Sequence, residues 1–219
     1  KENAPHLLAR ALKPHMLIYC SPLVDPYQPA EEQQALMPHL LEVLLRRPPA
    51  VFTIQTRGPL ILRDLPLLTE LHRRTSLRIS FSITTDDENV RRLYEPHCAP
   101  IDERFAVVER LRSAGLAVHA TLAPLLPCDP LRLIDRALQV TAEPVVGDPL
   151  HLRQVKPHGA TTREQAFRIA GKHGHEEWFQ PPFQARIVEQ MKQRAAQAGR
   201  KFATGPEGFQ WLTYSTNSD

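Results

Sequence analysis

Short apolar runs alternate along most of the chain with amphipathic stretches long enough to form helices. The run at residues 50–56 is especially rich in β-branched residues, which favour strands. They lie at residues 15–20, 50–56, 77–85, 116–127 and 143–150. Apolar positions three and four residues apart predict helices at residues 4–13, 29–47, 63–75, 86–94, 101–115 and 129–141.

Residues at the ends of these stretches support the pattern. Arg46 and Arg47 close the second helix with positive charge, as the helix dipole favours, and Pro38 is expected to bend or restart it. Asp64 is expected to be the N-cap of the third helix. Gly115 has the residue type that commonly ends a helix.

Strands that alternate with helices predict βαβ units and a parallel sheet, so the fold class is α/β. Residues 1–150 are expected to form this domain. Residues 151–219 are expected to form a mostly helical C-terminal extension, with helices at residues 161–172 and 181–199. In parallel sheets the ligand site lies at the carboxyl ends of the strands, so the loops after the strands are the place to look for chemistry.

Composition adds little to this picture. Hydrophobic residues make up 42% of the 219 residues, charged residues 23%, and the net charge is +3. No apolar run approaches the roughly 20 residues of a membrane span, and there is no basic-then-apolar leader. Three scattered cysteines favour a reducing cytoplasm over a disulfide framework. The arginine pairs are dispersed, so a DNA-binding face is only weakly indicated.

Four strand ends carry unusual motifs. The first strand runs into the proline-rich loop "SPLVDPYQP" and the second into "TRGPLILRD". The third reads "SFSITT" with "LYEP" shortly after, and the fourth ends in "APLLP". In this order the motifs resemble those of the radical S-adenosylmethionine enzymes related to spore photoproduct lyase. The resemblance runs from the first residue to about residue 130, and more loosely through "HGHEEWF" and "GPEGFQW".

The resemblance implies a partial parallel (β/α) barrel that holds a 4Fe-4S cluster and S-adenosylmethionine, whose reductive cleavage gives a deoxyadenosyl radical. It also implies an electron donor such as flavodoxin or ferredoxin. The cluster of this family needs a C-x3-C-x2-C loop, which the chain lacks. Because the chain begins at Lys1 without a methionine, we expect that the first strand and the cluster loop lie upstream, and that this fragment alone is inactive.

The resemblance also implies a set of cofactor contacts. Asp25 would face the methionyl ammonium, although it could instead cap the next helix. Arg57 would pair with the methionyl carboxylate, although it could instead be solvated. The positions that match the family's cofactor loops are Ser21, Asp25, Tyr27, Thr56, Arg57, Ser82, Thr84, Ala123 and Pro124. Barrel packing would explain Ala123 and Pro124 equally well.

Other motif residues have plainer explanations. Glu95 of "LYEP" is expected to bond loop amides, and the histidines of "HGHEEWF" lack the spacing of a zincin. Cys20, Cys98 and Cys128 are expected near strand ends, where they could converge on a metal, but isolated cysteines usually act as small buried hydrophobes. Cys128 would be the candidate hydrogen donor to a radical.

Two other functions fit the sequence. The chain could be an α/β module that binds a nucleotide or a protein partner without redox chemistry. It could also be a different barrel enzyme, with Asp25 as its acid or base. Within the radical family the substrate stays open, and reversal of a thymine lesion in DNA is the reaction implied for one branch.

Overall fold

The core of the molecule is a sheet of six parallel strands, whose order in the sheet is their order in the chain. The structure is a computed structural model, and it describes residues 3–20, 23–150 and 164–213. The strands are β1 (Leu17–Cys20), β2 (Val51–Thr56), β3 (Ser76–Ser82), β4 (Val118–Leu125), β5 (Val145–Pro149) and β6 (Phe202–Thr204). The first five confirm the predicted strands, whereas β6 is absent from the prediction.

Helices connect consecutive strands, as the alternation predicts. Those before β5 are α1 (Ala4–Ala11), α2 (Ala30–Gln34), α3 (Leu36–Arg46), α4 (Leu65–His72), α5 (Glu88–Tyr94), α6 (Ile101–Ser113) and α7 (Pro130–Val140). After it come α8 (Glu164–His173), α9 (Pro181–Gln197) and α10 (Gly205–Gln210). Two 3₁₀ helices, Pro59–Asp64 and Glu176–Phe179, lie among them.

The predicted helix at residues 29–47 is divided in two, as Pro38 suggested. Ala35 has the left-handed φ of 46° and separates α2 from α3. Pro38 then falls in the first turn of α3, where a backbone N–H has no partner within the helix. Pro38 therefore removes no hydrogen bond from α3.

One face of the sheet is apolar and covered by helices. Alternating residues of the central strands point to this face, and α4 and α6 pack over β3 and β4. Each fully buried aliphatic or aromatic side chain there contributes about 1.5–3 kcal/mol. The central members, all at most 2% exposed, are Phe52, Ile54, Ile79, Phe81, Val118 and Ala120.

The opposite face, here called the polar face, carries hydroxyl, amide, guanidinium and imidazole groups. Its members are Tyr19, Thr53, Gln55, Arg78, Ser80, Ser82, His119 and Thr121. The Tyr19 hydroxyl donates to Gln55 (2.8 Å), and the Ser80 and Thr121 hydroxyls lie 2.7 Å apart. A row of hydrogen-bonded polar side chains on a sheet face is unusual for packing alone.

The last part of the described chain closes one end of the polar face. Thr53 donates to the carbonyl of Leu212, and Arg78 donates to the carbonyl of Trp211 (3.0 Å). Since β6 pairs with β5 and α9 packs on α7, the sheet continues past residue 150. The division of the chain at that residue stays a prediction.

Among residues 3–20, 23–150 and 164–213, no helix is both long and apolar enough to cross a bilayer.

Candidate functional site

The Asp25 carboxylate joins the loop after β1 to the end of β2. Its Oδ1 accepts hydrogen bonds from the Tyr27 backbone N–H (2.9 Å) and the Thr56 hydroxyl (2.6 Å). Its Oδ2 accepts one from the Arg57 backbone N–H (2.9 Å). Asp25 does not cap the next helix, because α2 has no side-chain cap. A charged acceptor with bonds to two loops fixes their relative position.

Tyr27 extends from the same loop into the protein and is buried. Its hydroxyl donates to Oδ2 of Asp64 (3.0 Å). Arg63 binds Asp64 (2.8 Å) and Glu31 (2.7 Å), and Glu31 accepts bonds from two amides at the start of α3. Burial, together with the Asp64 carboxylate, raises the pKa of Tyr27 well above its usual value, so the hydroxyl stays protonated and donates.

The predicted N-cap position of Asp64 is confirmed, but its side chain does not cap the helix α4. Both carboxylate oxygens instead face Tyr27 and Arg63. The partner from the loop after β1 lies 37 residues away in sequence, so a local capping rule could not reveal it.

Gly58 lets the two loops approach each other closely. A Cβ on this residue would lie 2.6 Å from the Tyr27 carbonyl oxygen and 3.0 Å from its Cβ. We therefore expect Gly58→Ala to lower the free energy of unfolding by about 1–3 kcal/mol, measured by urea denaturation. The backbone φ of −90° suits any residue, so the cost comes from the contact alone.

Gly171, in the interior of α8, is the matched control for that substitution. A Cβ there would meet only Glu176, at 3.9 Å. Gly171→Ala is expected to raise stability by up to about 1 kcal/mol, since alanine favours the helix. An unchanged midpoint for Gly58→Ala would contradict the close approach.

The Arg57 side chain pairs with Glu95. Arg57 follows β2 and is about one-third exposed (32%), whereas Glu95 follows α5 and is only 8% exposed. One guanidinium nitrogen donates to Oε1 of Glu95, and the Cys98 thiol lies beside the same guanidinium. The prediction that Glu95 bonds loop amides is wrong, because the Glu95 contacts are with side chains.

The second oxygen of Glu95 is held from inside the protein. Its Oε2 accepts hydrogen bonds from the Thr84 hydroxyl (2.8 Å) and from Arg104 (2.7 Å). Arg104 is fully buried, and its other donors bind the carbonyl of Ser82, with Nε at 3.2 Å. The structure thus brings two of the predicted site residues into this network, Thr84 through its hydroxyl and Ser82 through its backbone carbonyl.

Sequence reasoning missed Arg104, although the pattern of α6 contains it. The buried side of this helix includes Ile101, Phe105, Val108 and Leu111. Arg104 falls on the same side, three residues after the first of these. Because buried arginines need partners, a charge within an apolar helix stripe indicates a buried ion pair.

The charges in this network keep each other ionised. Burial alone would raise the pKa of Glu95, but Arg104 and Arg57 outweigh it and hold the pKa below its usual value. Burial likewise disfavours the charged form of Arg57, yet Glu95 and further neighbours raise its pKa overall. Arg57 and Glu95 are therefore both charged at neutral pH.

The remaining predicted contacts lie farther from this network or outside the described residues. Ala123 and Pro124 are half-buried near the carboxyl end of β4, where the pairing with β5 shifts register. Ser21 lies outside the described residues. The roles of all these positions in cofactor binding stay predictions.

The three cysteines lie on separate segments, as predicted. Cys20 ends β1, Cys98 lies between α5 and α6, and Cys128 lies between β4 and α7. Burial and nearby carboxylates raise the pKa of Cys128 well above its usual value, so its thiol stays protonated. Within the described ranges, no three His, Cys, Asp or Glu side chains are grouped so that they could hold a metal ion.

Comparison with known proteins gives relatives of undetermined function. Uncharacterised proteins of Mycobacterium bovis and Mycobacterium tuberculosis are 35% identical over 103 residues, which are 47% of this chain and 30% of theirs. An uncharacterised protein of Acidianus two-tailed virus is 30% identical over 148 residues, covering 63% of this chain and 47% of its own. The chain thus spans less than half the length of these relatives. No protein-family model matches it.

Solved structures give a clearer likeness. A cysteine-to-serine mutant of spore photoproduct lyase matches with a TM-score of 0.63 and 13% identity, over 93% of this chain and 66% of its own. The enzyme complexed with dinucleoside spore photoproduct matches with a TM-score of 0.60 and 12% identity, over 91% and 64%. The chain has the fold of spore photoproduct lyase. The predicted α/β partial barrel is confirmed, and at this identity the likeness shows the fold alone.

Proposed function

We propose that this chain forms the cofactor-binding part of a radical S-adenosylmethionine enzyme similar to spore photoproduct lyase. The observation that carries the proposal is the binding of the Asp25 carboxylate by the Thr56 hydroxyl and the Arg57 backbone N–H, which holds Asp25 and Arg57 together at the carboxyl edge of the sheet. The substrate stays open, and a DNA lesion is one class that the fold allows.

Asp25 and Arg57 together fit the amino-acid group of S-adenosylmethionine, which carries an ammonium and a carboxylate. An ionised carboxylate has about four acceptor positions, and Asp25 uses three of them within the described residues. A guanidinium has five N–H donors, and Glu95 accepts from one of those of Arg57. Asp25 would bind the ammonium and Arg57 the carboxylate, since charge-assisted bonds of this kind are the stronger ones.

Further contacts belong to the same proposal. When bound, S-adenosylmethionine supplies a sulfonium centre that one electron can cleave. This chain's part is to hold the cofactor still and to keep water away from it. The remaining proposed contacts are Ser21, Tyr27, Thr56, Ser82, Thr84, Ala123 and Pro124, with Cys128 as the candidate hydrogen donor.

The cluster does not fit the residues of this chain. A 4Fe-4S cluster needs several cysteine thiolates close together, and the three cysteines lie on separate elements. We therefore derive no step through the cluster, and propose that its ligands come from residues outside these 219. An electron donor such as flavodoxin or ferredoxin would serve the assembled enzyme.

Nuclear magnetic resonance of the ¹⁵N-labelled chain tests the proposal. S-adenosylmethionine is expected to shift the Nε–H signal of Arg57 and the backbone amides of Tyr27 and Arg57. The control ligand is 5′-methylthioadenosine, which lacks the ammonium and the carboxylate and should leave these three signals in place. Arg57→Gln is expected to weaken binding of S-adenosylmethionine about tenfold, since it removes the charged partner of the carboxylate.

Two results would contradict the proposal. Equal binding of both ligands would indicate a nucleotide-binding module that does not recognise the amino-acid group. The absence of any shift, both in this chain and in a longer form reconstituted anaerobically with iron and sulfide, would leave only the fold in common with spore photoproduct lyase.

A further inference from the structure

Arg57 needs an external support if it is to bind an anion well. Its side chain is about one-third exposed. An arginine side chain has many rotamers, and ordering a free one costs about 2 kcal/mol of rotamer entropy. A guanidinium that is already held in position avoids most of this cost at binding. Glu95 supplies such a support, because its Oε1 accepts a hydrogen bond from Arg57.

Several hydrogen bonds hold Glu95 itself in position. Its Oε2 is bound by Thr84 and Arg104, and its backbone carbonyl accepts a bond from Arg91 (3.1 Å). Arg91 is buried and also binds the carbonyl of Cys98 (2.8 Å), so its hydrogen bonds hold the segment after α5 in position. A carboxylate held by this many partners keeps its rotamer and therefore fixes the guanidinium that it binds.

The formal charges around Arg57 also favour binding of a zwitterionic ligand. In a simple ion pair the carboxylate would cancel the charge of Arg57. Here Arg104 is a second, fully buried guanidinium on the same carboxylate. The formal charges of Arg57, Glu95 and Arg104 thus sum to +1, and Asp25, which accepts from the backbone N–H of Arg57, carries −1. An amino-acid group presents a matching −1 and +1, so its charges would be complemented at both ends.

We infer that Glu95 is the positioning residue that directs Arg57 toward the carboxylate of the bound amino-acid group, with Arg104 as its buried countercharge. This inference rests on the proposed function. Glu95 itself touches no ligand in this arrangement. A positioning role predicts that Glu95 affects the affinity only of ligands that carry the carboxylate. A purely structural role would change the affinity of every ligand.

Glu95→Gln tests the inference. The amide keeps the shape but loses the charge, so Arg57 is released while Arg104 keeps one acceptor. Affinity for S-adenosylmethionine is expected to fall about tenfold, or about 1.4 kcal/mol. Affinity for 5′-methylthioadenosine should stay unchanged. In the double variant with Arg57→Gln, no further loss is expected, because the two residues act as a unit.

Two further variants serve as controls for this experiment. Glu70→Gln is the matched control, since Glu70 also accepts from two arginines, but on the exposed surface of α4. It should change neither affinity. Glu95→Asp keeps the charge and withdraws it by one methylene, so it should bind S-adenosylmethionine with intermediate affinity. This variant also serves if Glu95→Gln does not fold.

The Nε–H signal of Arg57, recorded without ligand, separates failure of this inference from failure of the proposed function. We expect a single sharp signal in the unsubstituted chain, broadened or shifted toward that of a solvated arginine in Glu95→Gln. An unchanged signal in Glu95→Gln overturns the inference whether or not any ligand binds. Parallel loss of both ligands, or loss of neither, overturns it as well. Failure of the unsubstituted chain to distinguish the two ligands contradicts the proposed function instead.

Discussion

Replacing Arg104 with methionine is expected to lower the free energy of unfolding by about 3–5 kcal/mol, the range measured when one partner of a buried ion pair is removed. Methionine fits an irregular apolar space, so packing is not the main loss. The cost arises because Glu95 keeps its charge with one guanidinium fewer, and because the carbonyl of Ser82 loses its donor. Chemical denaturation followed by circular dichroism measures the change.

Arg194→Met is the matched control for this first prediction. Arg194 also pairs with a carboxylate through two nitrogens, but both partners lie on the surface, with Asp135 36% and Arg194 44% exposed. Exposed ion pairs contribute about 0–1 kcal/mol. If the two variants were equally stable, Arg104 would be in contact with solvent and the buried network would be wrong.

Replacing Asp25 with asparagine is expected to cost about 2–3 kcal/mol, even though the two side chains have nearly the same shape. Both oxygens of Asp25 accept bonds from backbone N–H groups that cannot rotate away, from Tyr27 on one side and Arg57 on the other. An asparagine must place its own N–H₂ against one of these donors. Urea denaturation of the variant measures the loss.

Asp129→Asn is the control for this second prediction. Asp129 caps α7 with a single oxygen, which accepts from the amides of Leu131 and Arg132. Asparagine is as good an N-cap as aspartate, so stability should change by a few tenths of a kcal/mol. A tolerated asparagine at both positions would show that Asp25 is an ordinary loop cap.

The fold could be predicted from the sequence because its elements are local. Each of the first five strands lies within a short apolar run, and the longer connecting helices have periodic apolar positions of their own. The strand β6 was missed because three residues, Phe202–Thr204, are too few to show a period. Its place in the sheet comes from pairing with β5 rather than from a preference of its own sequence.

The candidate site could be predicted only in part. The sequence placed Asp25 and Arg57 at neighbouring strand ends, because parallel strands end at one edge. It could not show that Glu95 binds Arg57 or that Tyr27 binds Asp64, since these partners are 37 or 38 residues apart. Arg104, nine residues after Glu95, had a local indication in the sequence, because it is a charge within the apolar stripe of α6.

The hydrogen bonds from β2 and β3 to residues 211 and 212 have a consequence for biosynthesis. Thr53 and its carbonyl partner are separated by 159 positions, and Arg78 and its partner by 133. The strands pair with their neighbours in sequence, so the sheet can assemble while the ribosome is still translating. These two bonds must wait until nearly all of this sequence has left the exit tunnel. We therefore expect a nascent chain to pass through a stage in which most of the sheet can form while one end of the polar face is still open.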